Sequence, residues 1–124
     1  MLPRIAPMKK ALITEDDLVS NLLLSALIRD QGFLTVSAYS LDETRKHLEA
    51  DVFNIIFLDN KLPDGLGIDF IPSIKLQQTN AVLVIMSAED FEENVKRAYA
   101  LGADVFLPKP LSHTEIKRVL GMTG

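Results

Sequence analysis

Short apolar runs alternate with longer amphipathic stretches along the whole chain. Several of these runs are apolar throughout, as is typical of parallel strands that helices cover on both faces. The pattern predicts an α/β chain in which five parallel strands are joined by right-handed crossovers, with helices on both sides of an open sheet. The predicted strands are residues 11–14, 35–39, 54–58, 81–86 and 105–107.

Capping residues mark the start of three predicted helices. Ser40, Asp90 and Ser112 each stand three residues before a Glu, which is the spacing of a capping box. Gly32 and Gly102 stand where the first and fourth helices are expected to end. No internal repeat or linker interrupts the alternation, so the pattern predicts one domain.

Two predicted helices have features that a regular helix does not explain. Pro72 falls about one turn inside the third helix, where it removes a backbone hydrogen bond, so we expect a kink or a late helix start. The first helix has an apolar arc wider than one sheet face needs, which predicts either a helical docking partner or burial by loops. Its predicted core-facing residues are Leu23, Leu24, Leu27 and Ile28, and the additional stripe consists of Leu18, Val19, Leu22 and Ala26.

Composition and charge exclude several classes of protein. The 124 residues are 48% hydrophobic and 24% charged, which is typical of one soluble globular domain. The chain has no cysteine, which excludes disulfides and thiol nucleophiles and leads us to expect a cytoplasmic protein. No apolar run approaches the roughly 18 residues of a membrane span. A net charge of −4 without a basic stripe argues against direct binding of nucleic acid.

Candidate site residues follow four of the five predicted strands, whereas the second strand ends at Tyr39-Ser40 without charge. Glu15 and Asp16 follow the first strand, Asp59 the third, Ser87 the fourth and Lys109 the fifth. Ligands of open parallel sheets bind beyond the carboxyl ends of the strands. If the first and third strands are neighbours, the three carboxylates converge, while Ser87 and Lys109 approach from the other side.

Converging carboxylates need a cation. Two carboxylates about 4 Å apart repel by about 1 kcal/mol in water and by about 4 kcal/mol at an effective dielectric constant of about 20. Mg²⁺ prefers such oxygen ligands and commonly binds carboxylates together with phosphate oxygens. The strand ends therefore indicate phosphoryl chemistry in which Asp59 is the nucleophile, while Lys109 and Ser87 hold the oxygens of the transferred group.

The same residues, in this order and spacing, resemble the receiver domain of bacterial two-component response regulators of the chemotaxis-protein-Y type. The resemblance covers about residues 9–122 and rests on ITEDD, FLDNKLPDG, VIMSAE and GADVFLPKP. These stretches contain an acidic pair, a phosphoacceptor, a hydroxyl residue, an aromatic switch and a Lys-Pro pair. In this sequence they are Glu15 and Asp16, Asp59, Ser87, Phe106, and Lys109 with Pro110.

The resemblance implies a fold and a metal site. The fold is a flavodoxin-like (βα)5 doubly wound sandwich with a five-stranded parallel sheet of order 2-1-3-4-5. Residues 9–124 would form the receiver domain, and residues 1–8 an N-terminal extension. Mg²⁺ would be bound by Asp16, the Asp59 carboxylate and the backbone carbonyl of Lys61, with Glu15 acting through water.

The implied activity is signalling. A sensor histidine kinase or a phosphotransfer protein would donate a phosphoryl group to Asp59, and the domain would promote its own phosphorylation and dephosphorylation through Ser87 and Lys109. Ser87 and Phe106 would then switch a surface at residues 90–120 that an output domain or downstream protein recognises. The resemblance also implies a cis Lys109-Pro110 bond. The 124 residues leave no room for an effector domain, so we expect either a stand-alone adaptor or the receiver of a longer regulator.

Departures from the common pattern are few. Glu15 replaces Asp, Ser87 replaces Thr and Phe106 replaces Tyr, and all three are common variants in the family. Phe106 lacks a phenol oxygen, so either packing alone drives its movement or it is a core residue without a switching role.

Three other functions fit the sequence less well. An aspartyl-nucleophile phosphatase of the haloacid dehalogenase type needs a second Asp two residues after the nucleophile, where Lys61 stands. A flavodoxin-like cofactor binder needs a first loop rich in Ser, Thr and Gly, whereas ITEDD would repel phosphate. The complete set of site residues argues against a receiver fold that works without phosphate.

Overall fold

The computed structural model of the chain describes residues 7–124. Of the expected extension at residues 1–8, residues 1–6 lie outside the described residues. The strands are β1 (Lys10–Thr14), β2 (Leu34–Ala38), β3 (Ile55–Asp59), β4 (Lys61–Leu62), β5 (Gly65–Leu66), β6 (Val82–Ser87) and β7 (Val105–Pro108). The helices are α1 (Leu18–Asp30), α2 (Leu41–Ala50), α3 (Gly67–Gln77), α4 (Glu92–Leu101) and α5 (His113–Leu120). Within residues 7–124, every helix is too short or too polar to cross a membrane.

Five of the seven described strands form one parallel sheet of order β2-β1-β3-β6-β7. The other two, β4 and β5, form a small antiparallel hairpin in the loop after β3, which the sequence pattern does not predict. Without that hairpin the strand order is 2-1-3-4-5, so the predicted doubly wound α/β fold is confirmed. Each predicted strand agrees with the observed strand to within one residue at either end.

The sheet separates two apolar cores, because successive side chains along a strand point to opposite faces. In β3, Ile55 and Phe57 face one side, whereas Ile56 and Leu58 face the other. Helices α1 and α5 cover the first face, and α2, α3 and α4 cover the second. Burial on both faces explains the continuous apolar run of β3 and holds its last residue, Asp59, at the carboxyl edge of the sheet.

Most of the predicted helix signals are confirmed. Ser40 and Ser112 each accept a hydrogen bond from the N–H of the Glu three residues later, at 3.1 Å. Gly32 and Gly102 follow the ends of α1 and α4, and both have positive φ angles. The prediction for Asp90 is wrong, since α4 begins at Glu92 and has no side-chain cap.

The late start of α4 has a local cause. The Ser87 hydroxyl accepts a hydrogen bond from the Glu89 N–H, which closes a turn directly after β6. Phe91 then has extended backbone, with ψ of 142°, and occupies the position before the first helical residue. The turn at Ser87 therefore delays the helix beyond Asp90.

Helices α3 and α1, for which the sequence predicts unusual features, agree with those predictions only in part. α3 begins at Gly67, ahead of Pro72, so a late start is wrong and a kink stays a prediction. In α1, Leu23 is 66% exposed and does not face the core as predicted, because Asn21 and Ser25 occupy the buried face and form hydrogen bonds there. The additional stripe is not buried by loops, since its Leu and Val side chains are all more than 60% exposed.

The hairpin is tied to the start of α2. The Asp64 carboxylate accepts hydrogen bonds from the N–H groups of Leu41 and Asp42 at 2.8 and 2.9 Å. The first N–H groups of a helix have no partner within the helix, so Asp64 and Ser40 together stabilise the N-terminus of α2. The bond from Leu41 is the main cause that lowers the pKa of Asp64. These contacts fix the loop that follows β3.

Candidate functional site

The carboxyl edge of the sheet forms a cleft that brings the predicted site residues together. Glu15 and Asp16 follow β1, Asp59 is the last residue of β3, and Ser87 is the last residue of β6. Lys109 follows β7 and extends back across the cleft. All five line the same cleft, whose wall also contains Asp17, Ser20, Lys61, Ala88 and Glu89.

Glu15, Asp16 and Asp59 form an acidic cluster. One carboxylate oxygen from each lies within 4.8 Å of the others. The parallel register of β1 and β3 pairs Thr14 with Leu58, which places the residues after them side by side. Glu15 and Asp59 are buried, whereas Asp16 is exposed. The structure thus brings the three predicted carboxylates together with an open side at Asp16.

Lys109 is the single cation among residues 7–124 that contacts this cluster. Its Nζ lies 2.7 Å from Glu15 Oε1 and 3.0 Å from Asp59 Oδ1. The Lys109 N–H donates to the Ser87 carbonyl at 2.9 Å, and the Lys109-Pro110 bond is cis, as expected. One ammonium against three carboxylates leaves two negative charges without a partner cation.

Charge in the cluster is out of balance. Burial raises the pKa of Glu15, and the neighbouring Asp59 raises it further, while Lys109 opposes these effects only in part. Burial lowers the pKa of Lys109, but its contacts with the two carboxylates outweigh burial and raise that pKa overall. Lys109 is therefore held charged, whereas the ionised form of Glu15 is disfavoured until another cation is present.

The backbone around Asp59 is held by several contacts. The Asn60 N–H donates to both Asp59 Oδ1 and the Met86 carbonyl, each at 3.0 Å. The backbone and side-chain oxygens of Asn60 accept from the N–H groups of Gly67 and Ile68 at 2.7 and 3.0 Å. A Cβ at Gly67 would lie only 2.3 Å from the Asp59 carbonyl oxygen, so glycine is required for α3 to begin here.

The two oxygens of the Asp59 carboxylate have different surroundings. Oδ1 accepts from the Asn60 N–H and contacts the Lys109 ammonium. No described residue forms a hydrogen bond with Oδ2, and no buried side-chain oxygen within residues 7–124 lacks a partner. Oδ2 is therefore not completely enclosed, although Asp59 as a whole is buried, and it is the Asp59 oxygen without a protein hydrogen-bond donor among the described residues.

The hydroxyl of Ser87 connects the cleft to α4. Its Oγ accepts a hydrogen bond from the Glu89 N–H at 3.0 Å. A rotation of the hydroxyl toward Asp59 would break this bond and release the loop that leads into α4. Across the mouth of the cleft, an ion pair between Lys61 and Glu89 joins this loop to the loop after β3. Both side chains are partly exposed, so the pair adds little stability.

Phe106 and Tyr99 form a contact that the sequence does not predict. Phe106 is 8% exposed and packs in the core on the α2, α3 and α4 face. The Tyr99 hydroxyl accepts a hydrogen bond from the Phe106 N–H at 3.0 Å. β7 is an edge strand, where N–H groups on the outer side lack a strand partner, so the Tyr99 hydroxyl replaces one. This bond links α4 directly to the predicted switch residue.

The donor set of the cluster fits a hard divalent cation. The three carboxylates supply the oxygen ligands that Mg²⁺ prefers, and the surplus negative charge provides the attraction. Mg²⁺ usually keeps several water ligands, which suits a cluster that is open at Asp16.

Comparison with known families gives a match over most of the chain. The family model described as response regulator receiver domain matches residues 11–120. The phosphate regulon transcriptional regulatory protein PhoB of Escherichia coli is 29% identical over 110 residues, which cover 87% of this chain and 48% of that protein. The chain thus spans about half the length of this curated relative.

Solved structures are similar in fold. A response regulator protein from Burkholderia pseudomallei, with a phosphorylated aspartic acid, calcium ion and citrate, has a TM-score of 0.86 and 25% identity. The similarity covers 90% of this chain and 66% of that one. A CheY-like receiver domain protein from Methanospirillum hungatei has a TM-score of 0.89 at 21% identity, over 94% of this chain and 93% of the other.

The raised pKa of Glu15 predicts how stability depends on pH in the absence of metal. The folded protein keeps a proton on Glu15 at pH values where the unfolded chain has released it, so stability falls as pH rises above 4.5 through the raised pKa. Glu15→Gln removes this titration and should flatten the profile in that window. The aspartates with lowered pKa values, such as Asp64, titrate below it.

Urea unfolding followed by circular dichroism, from about pH 4.5 to about pH 8 with a chelator present, measures this difference. The variant should become more stable relative to the parent as pH rises. A difference between parent and variant that stays constant over the range would contradict the assignment of the raised pKa to Glu15.

Proposed function

The chain belongs to the response regulator receiver domain family, and from this premise we propose that Asp59 accepts a phosphoryl group and thereby switches an output surface. The observation that carries the proposal is the Asp59 carboxylate itself. The residue lines the cleft, its Oδ1 is held by Lys109 and the Asn60 N–H, and its Oδ2 has no donor among the described residues and is not completely enclosed. The donor would be a histidine kinase or a phosphotransfer protein, since receiver domains serve such partners.

The proposed transfer needs one bond to form and one to break. Asp59 Oδ2 attacks the phosphorus of a phosphohistidine, the P–N bond breaks, and the released imidazole nitrogen takes up a proton from solvent. The product is an acyl phosphate on Asp59. Lys109 is placed to donate to its non-bridging oxygens, because its ammonium already contacts Asp59. Ser87 lines the same cleft and can supply a hydroxyl donor after rotation.

The same cleft would hold the metal ion. Asp16, the Asp59 carboxylate and the Lys61 carbonyl would bind Mg²⁺, with Glu15 acting through water. Bound Mg²⁺ supplies positive charge to the phosphoryl oxygens and relieves the repulsion among the carboxylates. The Burkholderia response regulator supports this proposal, since its structure combines a phosphorylated aspartic acid with a calcium ion.

The domain would act as a signalling module and promote only its own modification. Lys109, Ser87 and the acidic cluster would accelerate both the formation of the acyl phosphate and its hydrolysis. A haloacid-dehalogenase-type phosphatase is not supported, because the position two residues after Asp59 is Lys61, whose side chain pairs with Glu89. We propose a cytoplasmic location on the basis of the expected kinase partner.

Switching would begin at Ser87. Rotation of its hydroxyl toward the phosphoryl oxygens breaks the bond to the Glu89 N–H and frees the loop before α4. A movement of α4 would be transmitted to the backbone of Phe106 through the hydrogen bond that the Tyr99 hydroxyl accepts from the Phe106 N–H. The Phe106 ring is 8% exposed and packs in the core, and phosphorylation would act by shifting an equilibrium between two arrangements of this region. An output domain or downstream protein would bind at residues 90–120. This domain itself would not bind nucleic acid directly.

Asp59→Asn should abolish phosphorylation, because the amide lacks the nucleophilic oxygen. Incubation with acetyl phosphate and Mg²⁺, followed by mass spectrometry of the intact chain, should show one acid-stable and base-labile phosphoryl group on the parent and background labelling on the variant. Asp90→Asn is the matched control, since Asp90 is exposed and near the cleft but outside the cluster. If Asp59→Asn were labelled as fully as the control, the assignment of the acceptor would be wrong.

Ser87→Ala should separate phosphorylation from switching. The variant keeps Asp59 and Lys109 and should still accept a phosphoryl group, but more slowly. Beryllofluoride, a phosphate mimic, should shift the amide resonances of residues 90–120 in the parent and shift them by about half or less in the variant. Ser73→Ala, an exposed change on α3, is the control and should respond as the parent does. A full response in Ser87→Ala would show that the coupling follows another route.

A further inference from the structure

Asn21 is a buried polar residue that neither the phosphoryl chemistry nor the switch requires. It lies on α1 and faces the sheet, with 1% of its surface exposed. A buried amide is costly unless its donors and acceptor have partners. The partners of Asn21 are therefore informative about its role.

The amide nitrogen binds the ends of two strands. Asn21 Nδ2 donates to the Glu15 carbonyl at 3.0 Å and to the carbonyls of Ile13 and Ala38 at 3.3 and 3.4 Å. An amide has two N–H donors, so the shortest contact, to Glu15, is the best formed of the three. The side chain thus joins the carboxyl ends of β1 and β2 to the first residue of the loop that follows β1.

The amide oxygen fixes the orientation of the side chain. Oδ1 accepts hydrogen bonds from the hydroxyls of Ser37 and Ser25 at 2.6 and 3.1 Å. With the amide turned over, the oxygen would face three carbonyl oxygens and the nitrogen would face the two hydroxyls. The hydroxyl bonds therefore hold the N–H groups of Asn21 toward the Glu15 carbonyl.

The Glu15 carbonyl belongs to the peptide bond that leads into Asp16. The Glu15 N–H donates to the Ala38 carbonyl at 3.0 Å, so the backbone of Glu15 is held on both sides. On the other side of Asp16, the Asp17 side chain accepts from the Val19 N–H and the Ser20 hydroxyl. The Asp16 side chain has no hydrogen bond or ion pair within residues 7–124, so the contacts of Glu15 and Asp17 position its backbone, from which the exposed carboxylate extends.

We propose that Asn21 is a positioning residue that acts through the Glu15-Asp16 peptide to hold these two carboxylates in a metal-binding arrangement. The proposal rests on the function proposed for the cleft. Groups that orient metal ligands in other proteins typically change metal affinity by about 10- to 100-fold when they are mutated. Asn21 differs from such groups in that it orients the ligands through the main chain.

The test compares Asn21→Leu with Ser37→Ala and Ser25→Ala. All three changes remove hydrogen bonds of the same network. Each serine change leaves the other hydroxyl to orient the Asn21 amide, so only Asn21→Leu removes the bond to the Glu15 carbonyl. Mg²⁺ affinity is measured from backbone amide shifts in a titration, together with the melting temperature. Asn21→Leu should weaken Mg²⁺ binding by about tenfold or more, while the serine variants stay within about twofold at a comparable loss of melting temperature.

The proposal is overturned if Asn21→Leu binds Mg²⁺ as the parent does, or if the serine variants lose affinity as strongly as Asn21→Leu. Should Asn21→Leu not fold, the side-chain amide protons of Asn21 in the parent provide the test. They should shift on addition of Mg²⁺, because the metal polarises the peptide that they contact, and unchanged resonances would contradict the proposal.

A metal-free measurement distinguishes this inference from the proposed function. Backbone relaxation of residues 15–17 without metal should show greater mobility in Asn21→Leu than in Ser37→Ala. If the parent binds no Mg²⁺ but this difference is present, the proposed metal site fails and the positioning of the loop stands. If the mobility is equal in both variants, the positioning role itself is wrong.

Discussion

The repulsion among Glu15, Asp16 and Asp59 is the constraint on which the site depends. One ammonium, from Lys109, faces three carboxylate groups whose oxygens lie within 4.8 Å of one another. At an effective dielectric constant of about 20, each such pair repels by about 4 kcal/mol at 4 Å, and a single cation cannot offset all pairs. The charge of the cluster therefore favours a divalent cation as a partner for the two carboxylates that Lys109 cannot balance.

The fold keeps these three carboxylates close together despite their repulsion. β3 is buried on both faces, so Asp59 cannot retreat from the edge of the sheet without exposing apolar side chains. Gly67 and Asn60 fix the chain after Asp59, and Asn21 fixes the chain at Glu15. Apolar packing on two sides of the sheet supplies the stability that the cluster removes, a common arrangement at functional sites.

Local patterns in the sequence predict those features of the fold that depend on neighbouring residues along the chain. The strand bounds, the caps at Ser40 and Ser112 and the set of residues at the strand ends follow from apolar runs and spacing, whereas the strand order came from the family resemblance. Asp90 and Leu23 depart from their predicted positions for different reasons. A local turn closed by the Ser87 hydroxyl delays α4, whereas the tertiary contacts of the Asn21 amide place Asn21 instead of Leu23 on the buried face of α1. Contacts such as that of the Tyr99 hydroxyl with β7 join side chains to backbone groups elsewhere in the fold, and no periodicity in the sequence encodes them.

The most direct test of the central claim is the thermal stability of Asp16→Asn with and without Mg²⁺. Without metal, the variant should be more stable than the parent by about 1 kcal/mol, because one repelling carboxylate in the exposed part of the cluster is gone. Mg²⁺ should stabilise the parent by RT ln(1 + c/Kd), where c is the free Mg²⁺ concentration and Kd is the dissociation constant, and should stabilise the variant much less. Asp90→Asn should behave as the parent does under both conditions. A variant that is less stable than the parent without metal, or that gains as much from Mg²⁺, would contradict the account.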